Sequence, residues 1–178
     1  MKFVAVSLAV IAVLGAGSGC TRIQKYVVKV PGASATLLPS SGSDVRGSVR
    51  FTQKEGLVEV TGRVTGLAPG PHGVHIHEKG NCSAPDGSSA GPHFNPTAGQ
   101  HSGPHDTARH AGDLGNIIAD AQGIAEFRLE VSGLSLGPNP NGIVGRSVIV
   151  HADADDLVTQ PAGNAGKRIG CGLISKDP

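Results

Sequence analysis

The chain has 178 residues and a mass of 17.9 kDa, the size of one ordinary domain. Aromatic residues make up 3% of it, and 27 Gly with 12 Pro exclude a helix bundle built on long Ala, Leu, Glu and Lys runs, while 38% apolar content excludes general disorder. Fifteen Lys and Arg balance 14 Asp and Glu without forming a basic run, which excludes a nucleic-acid footprint.

The predicted elements begin with an address. Lys2 is followed by an uncharged stretch from Phe3 to Gly19, whose centre from Val4 to Leu14 is apolar apart from Ser7. Small residues 15–19 then lead to Cys20. The pattern predicts a signal peptide over 1–19, cleaved before Cys20, and is too short for a permanent span. Small residues directly before a Cys resemble a bacterial lipoprotein processing site, although Gly17 stands where such sites usually carry Leu. That reading makes Cys20 a lipidated residue and places the chain in the bacterial periplasm or cell envelope. Ordinary cleavage near Cys20 without a lipid is the alternative. In an exported chain, Cys82 and Cys171 are left as a candidate disulfide pair, with two buried free thiols as the other possibility.

Residues 20–32 read as a tether, and 33–178 as the domain. Alternation of apolar and polar residues predicts strands over 45–51 and 58–64, separated by turn signals at Gly56 and 66–71. A short strand covers 74–77. Residues 79–112 show no periodicity and are rich in Gly, Ser, Pro and His, a loop far longer than ordinary connections. Strands resume over 114–119 and 125–131, and a second loop covers 132–142. Residues 147–151 are apolar enough for a buried strand, a third loop covers 152–166, and 168–174 closes the domain. Short strands at this spacing predict an all-β sandwich or barrel with long loops.

Histidine carries the chemical signal. There are eight, none before His72, and seven lie between His72 and His110. His75 and His77 stand two apart on a strand, so both rings leave one face. His93, His101, His110 and Asp113 follow, and three imidazoles with one carboxylate suit zinc. His151, at the end of the buried strand, offers a further nitrogen to His75 and His77. All-imidazole ligation suits copper.

Four stretches together resemble the copper/zinc superoxide dismutases: Gly73-Val74-His75-Ile76-His77-Glu78, Ser89-Ala90-Gly91-Pro92-His93-Phe94-Asn95-Pro96, His110-Ala111-Gly112-Asp113-Leu114-Gly115-Asn116 and Gly163-Asn164-Ala165-Gly166-Lys167-Arg168. The resemblance runs in order over about 33–174. It implies an eight-stranded Greek-key β-sandwich or barrel with metal-binding and active-site loops. It implies one copper and one zinc per subunit, with superoxide as substrate. His75, His77, His93 and His151 match the copper ligands; His93, His101, His110 and Asp113 match the zinc ligands. His93 then bridges both metals and delivers a proton toward peroxide. Arg168 matches an anion-orienting arginine, and a guanidinium is always charged and donates in a fixed fork. Asp155 matches a carboxylate linking His75 and His101, and Cys82 with Cys171 matches the family disulfide. His72 matches a structural histidine.

Other residues take plainer expectations. His105 is expected in solvent, Asp156 as a loop cap, and Lys167 either at the surface or adding to the field of the site. Residues 157–162 are uncharged where many relatives place charges, so the rate is expected to depend only modestly on salt. The short segment between His77 and His93 suggests a homodimer of the eukaryotic type, using Ile143, Val144 and Ile174. A non-catalytic copper and zinc buffer is the alternative function. A zinc hydrolase fits poorly, because no His-Glu-x-x-His pattern is present.

Overall fold

A computed structural model describes residues 31–178. The expected signal peptide, Cys20 and all but the last two residues of the expected tether lie outside the described residues. The strands are β1 (Gly32–Pro39), β2 (Arg46–Lys54), β3 (Leu57–Thr65), β4 (Gly70–His77), β5 (Asp113–Ala119), β6 (Ala125–Ser132), β7 (Ser147–His151), β8 (Arg168–Leu173) and the two-residue β9 (Ser175–Lys176). Among the described residues the helical element is one 3₁₀ turn, Ser88–Ala90.

The strands form one antiparallel sheet in the order β5-β4-β7-β8-β1-β2-β3-β6, with β9 paired to β1. Its two end strands, β5 and β6, are neighbours in sequence and approach in space, so the sheet curls into a nearly closed barrel. The β3–β4 and β6–β7 connections skip over strands, as a Greek key requires. This is the expected all-β fold, with eight main strands and the short β9 added.

Alternation decides which side chains fill the barrel. Val49 and Phe51 of β2, Val58, Val60 and Val64 of β3, and Ala33, Ala35 and Leu37 of β1 are buried together with Val74 and Ile76 of β4. Each fully buried Val, Leu, Ile or Phe contributes roughly 1.5–3 kcal/mol of transfer free energy.

β4 and β7 differ from an ordinary half-wet strand. Every residue from His72 to His77 is buried, as is all of β7. Val74, Ile76, Val148 and Val150 point into the barrel. The opposite face, with His75, His77, Ile149 and His151, is covered by 79–112 and 152–167 instead of water. There Ile149 packs with Ala90 and Cys171 in a small second core that Cys82 closes. Cys82 and Cys171 form the disulfide, closing a separation of 89 residues. Loop-closure entropy gives such a bond about 4–5 kcal/mol.

Three points of the sequence reading need correction. β1 carries no strand assignment in the sequence reading, and β4 begins at Gly70, inside the segment 66–71 read as a turn. Pro71 is accommodated because the β4–β7 ladder starts only at Val74. Ile143 and Ile174 are fully buried in the core, so neither offers its side chain to a partner.

Candidate metal centre

The long loop returns to β4 before it wanders. Phe94 N–H donates to Ile76 O at 2.8 Å, Ile76 N–H to Gly112 O at 2.9 Å, and Gly112 N–H to Phe94 O at 2.9 Å. This three-way backbone stitch sets His93 opposite His77 and delivers Asp113 to the start of β5. His75 and His77 come from β4, His151 from the end of β7, and His101 and His110 from the loop itself.

All of these side chains are buried. One ring nitrogen from each of His75, His77, His93 and His151 lies within 4.8 Å of the others, and so do one nitrogen from each of His75, His93 and His101 and an Asp113 oxygen. Asp113 Oδ1 is 2.8 Å from His93 Nδ1, 3.0 Å from His101 Nδ1 and 3.3 Å from His110 Nδ1. His93 Nδ1 and His110 Nδ1 are 3.4 Å apart. Donors about 2.0–2.1 Å from a tetrahedral ion are roughly 3.3 Å from one another, so these spacings fit a zinc shell.

Hydrogen bonds at the far side of each ring choose the tautomer. His75 Nε2 faces Asp155 Oδ2 at 2.8 Å, and His101 Nε2 faces Asp155 Oδ1 at 2.8 Å. A carboxylate only accepts, so both Nε2 atoms carry the proton. His77 Nδ1 donates to Gly91 O at 2.8 Å, and His151 Nδ1 lies 3.3 Å from Gly166 O. The other nitrogens are left with lone pairs turned inward. His75 Nδ1, His77 Nε2, His93 Nε2, His101 Nδ1 and His151 Nε2 are buried without a hydrogen-bond partner among the described residues. Five such nitrogens in one place are costly in an ordinary core and natural around metal ions. His93 turns one nitrogen to each cluster, as a bridging ligand must.

The electrostatics agree. Burial first, then the neighbouring His93, holds His75 and His77 well below the usual imidazole range. Burial also lowers His110, and it pushes His151 down to about 4. For His101 burial opposes charge, but the Asp155 hydrogen bond and the Asp113 and Asp155 charges prevail and raise it. Burial disfavours the charged form of Asp113, yet the His93 hydrogen bond and the surrounding imidazoles hold it below the usual carboxylate range.

The supporting atoms are specific. Asp155 Oδ1 also accepts the Leu157 N–H at 2.7 Å. Gly163, at φ 64, stands where a Cβ would collide with the Asp155 carboxylate and the His101 ring, so this position demands glycine. Asp113 Oδ2 takes the backbone N–H of His110 at 3.0 Å and of Ser102 at 3.2 Å. Arg168 donates to Gly87 O at 2.9 Å and, with His93, His110, Phe94, Pro161 and Ala162, lines a cleft of about 680 Å³.

The remaining expectations also find their places. Both ring nitrogens of His72 face carbonyl oxygens, those of His151 and Ala68, each at 2.8 Å, as befits a structural residue. His105 and Lys167 are exposed. Asp156 caps the turn by accepting the Val158 and Thr159 N–H groups.

Three supporting residues have no role in the sequence reading. Asn95 brackets Gly99, and Asn116 brackets Asp155, each side-chain amide accepting the N–H and donating to the C=O of a single residue at 2.8–2.9 Å. Arg109 is buried and donates to the carbonyls of His110, Ala111 and Ser132, tying the loop to the end of β6. Asn or Arg in a loop beside a ligand is the available signal, and it is shared with ordinary surface polarity.

The copper/zinc superoxide dismutase family model matches residues 45–174. A relative from Mesembryanthemum crystallinum named "Superoxide dismutase [Cu-Zn] 2" is 45% identical over 148 residues, 79% of this chain and 93% of the relative. A Brassica juncea protein of the same name is 48% identical over 143 residues, 76% of this chain and 92% of its own length. Both are plant proteins and lend nothing to a bacterial source. With a fold, a ligand cluster and a matched length that all agree, the chain belongs to the copper/zinc superoxide dismutase family.

Proposed function

We infer that the chain converts two superoxide ions and two protons into oxygen and hydrogen peroxide, using one copper and one zinc per subunit. The observation that carries this is the set of five inward-facing, unpartnered ring nitrogens, each fixed by its own hydrogen bond or carboxylate neighbour. His75 Nδ1, His77 Nε2, His93 Nε2 and His151 Nε2 form the copper set. His93 Nδ1, His101 Nδ1, His110 Nδ1 and Asp113 Oδ1 form the zinc set. When bound, copper supplies the one-electron exchange with superoxide, and zinc, which has no redox change, supplies fixed charge and anchors the loop.

The protein's own residues do the rest. Arg168 holds its cation at the cleft, where a small anion enters. His93 borders the same cleft, and its Nε2, when not held by copper, is the nitrogen that would take up the proton delivered to peroxide. Asp155 keeps His75 and His101 in the tautomers that ligation needs, which typically matters 10–100-fold in metal affinity. Metal analysis tests the assignment: wild type should hold one copper and one zinc, His151→Ala should lose copper first, and His110→Ala should lose zinc first. Equal loss of both metals in both variants would refute the division of ligands. A pure buffer of copper and zinc has no use for an arginine at the mouth of the cleft, which favours the enzyme.

Three further readings concern surroundings. Export rests on residues 1–19, and lipidation on Cys20, placing the enzyme in the periplasm or envelope. Labelled palmitate should enter the wild-type chain and not Cys20→Ser. A homodimer is supported by exposed Leu38, Val144 and Leu173. Leu38 and Leu173 share a strip across the β1–β8 ladder, and Leu173 Cδ1 reaches Gly80 beside Gly145. Light scattering should show a dimer that Leu173→Lys dissociates; a wild-type monomer at micromolar concentration would refute it.

A further inference from the structure

We propose that Gln160 is a positioning residue for the zinc ligand His101, a proposal that rests on the zinc assignment above. The Gln160 side-chain amide closes on both backbone groups of His101. His101 N–H donates to Gln160 Oε1 at 2.8 Å, and Gln160 Nε2 donates to His101 O at 2.8 Å. Nε2 is also 3.1 Å from Val158 O, so the amide is oriented from its own loop.

The ring of His101 is held by Asp155 at Nε2 and stands beside Asp113 at Nδ1. Those contacts fix the ring only if the backbone carrying it is fixed. His101 lies outside every strand, in a stretch with no ladder to hold it. Gln160 supplies the missing pair of hydrogen bonds, imitating a neighbouring strand with one side chain. Asn116 does the same for Asp155. The Asp155–His101 contact therefore has an amide clamp at each end. One clamp, on β5, ties Asp155 to the barrel; the other ties His101 to the loop that Asp155 belongs to. Zinc geometry thus depends on the third loop at a residue that touches no metal.

Charge and position make opposite predictions at this site. Gln160→Glu keeps an acceptor for His101 N–H, replaces the donor by an oxygen facing His101 O, and adds a negative charge near the zinc set. If the residue acts by position, this variant weakens zinc binding; if it acts by charge, it strengthens it. Gln160→Ala removes both hydrogen bonds. Val158→Ala, at an exposed side chain of the same loop, is the control.

The experiment measures zinc and copper release from the metal-loaded protein into excess chelator, with the thermal midpoint of the metal-free form measured alongside. The expected result is zinc release about 10–100-fold faster in Gln160→Ala and Gln160→Glu, from the usual effect of a ligand-supporting residue. Copper release should change less than zinc release, because His75, His77 and His151 stand on strands β4 and β7 and do not depend on the Gln160 clamp for their backbone. The control and the metal-free midpoints should match wild type. Zinc release in Gln160→Ala equal to wild type would overturn the proposal, as would slower release in Gln160→Glu. So would parallel loss of both metals with a falling metal-free midpoint. Wild type that takes up no zinc at all would overturn the zinc assignment and this proposal with it.

Discussion

The barrel and the loops over its β4–β7 face bury opposite kinds of side chain. Inside the barrel, Phe51, Val60, Ile76 and Leu114 pack against one another, and ladder hydrogen bonds satisfy the backbone. Across the sheet, six imidazoles and one carboxylate converge where a second apolar layer would ordinarily sit. The loops have no ladders, so side chains replace them: Asn95, Asn116 and Gln160 each bracket one backbone residue, and Asp113 and Asp156 cap turns. The barrel is stable by exclusion of water; the loop layer becomes stable when metal fills its lone pairs.

Changes on either side of this division should separate stability from activity. The largest effect is expected for His75→Ala, which should reduce superoxide decay to the metal-free level. Unfolding of the metal-free variant should be as stable as wild type or more so, because a buried imidazole without a partner is gone. A large fall in metal-free stability would show that His75 packs the fold as well. Cys82→Ser should cost about 2–5 kcal/mol in denaturant unfolding and loosen the zinc loop. Phe51→Ala should cost about 3–5 kcal/mol yet leave metal stoichiometry unchanged at temperatures where the variant folds. If Phe51→Ala strips metal while folded, barrel and loops are more tightly coupled than this division allows.

Acid should attack the loop layer first. Burial, the largest cause, lowers His75, His77, His110 and His151, the last to about 4. The unfolded chain therefore binds more protons at these rings than the folded one below the ordinary imidazole value of 6.5. Metal-free stability is full above pH 6.5 and declines as pH falls from 6.5 toward about 4. His101 works in the opposite sense, because its raised value loses stability as pH rises, but it is one ring against four. The thermal midpoint of metal-free protein should fall across that window, and copper with zinc should suppress the fall. A flat profile would mean that the rings charge without cost. The smallest effect is the response to salt. Residues 157–162 carry no charge, so steering comes from Arg168 and its immediate surroundings, and added salt should slow the reaction only modestly. A steep decline would reveal a long-range field.

Much of this division is legible in the sequence, though unevenly. Period-2 alternation marks β2, β3 and β6 because one face is wet, and unbroken apolarity marks β7 because both faces are covered. β1 escapes because Ala33 and Ala35 fill inward positions and Ala is a poor strand signal. The start of β4 escapes because Gly70 and Pro71 imitate a turn, although β5 pairs with them. His75 and His77 are legible as one face of a strand. That His93 turns a nitrogen to each cluster is not, since it depends on the backbone stitch among Phe94, Ile76 and Gly112. Ile143 and Ile174 are apolar and lie outside the strands, so the sequence does not show that both are buried while the adjacent Val144 and Leu173 are exposed.

The central claim is that the ligand layer turns over superoxide and does not merely store metal. Its most direct test is the decay of superoxide with residues 21–178, metal-free and after loading with copper and zinc. The account predicts fast, copper-dependent decay that collapses in His75→Ala. Full binding of both metals with decay no faster than in free buffer would contradict it and identify a metal carrier on the same fold.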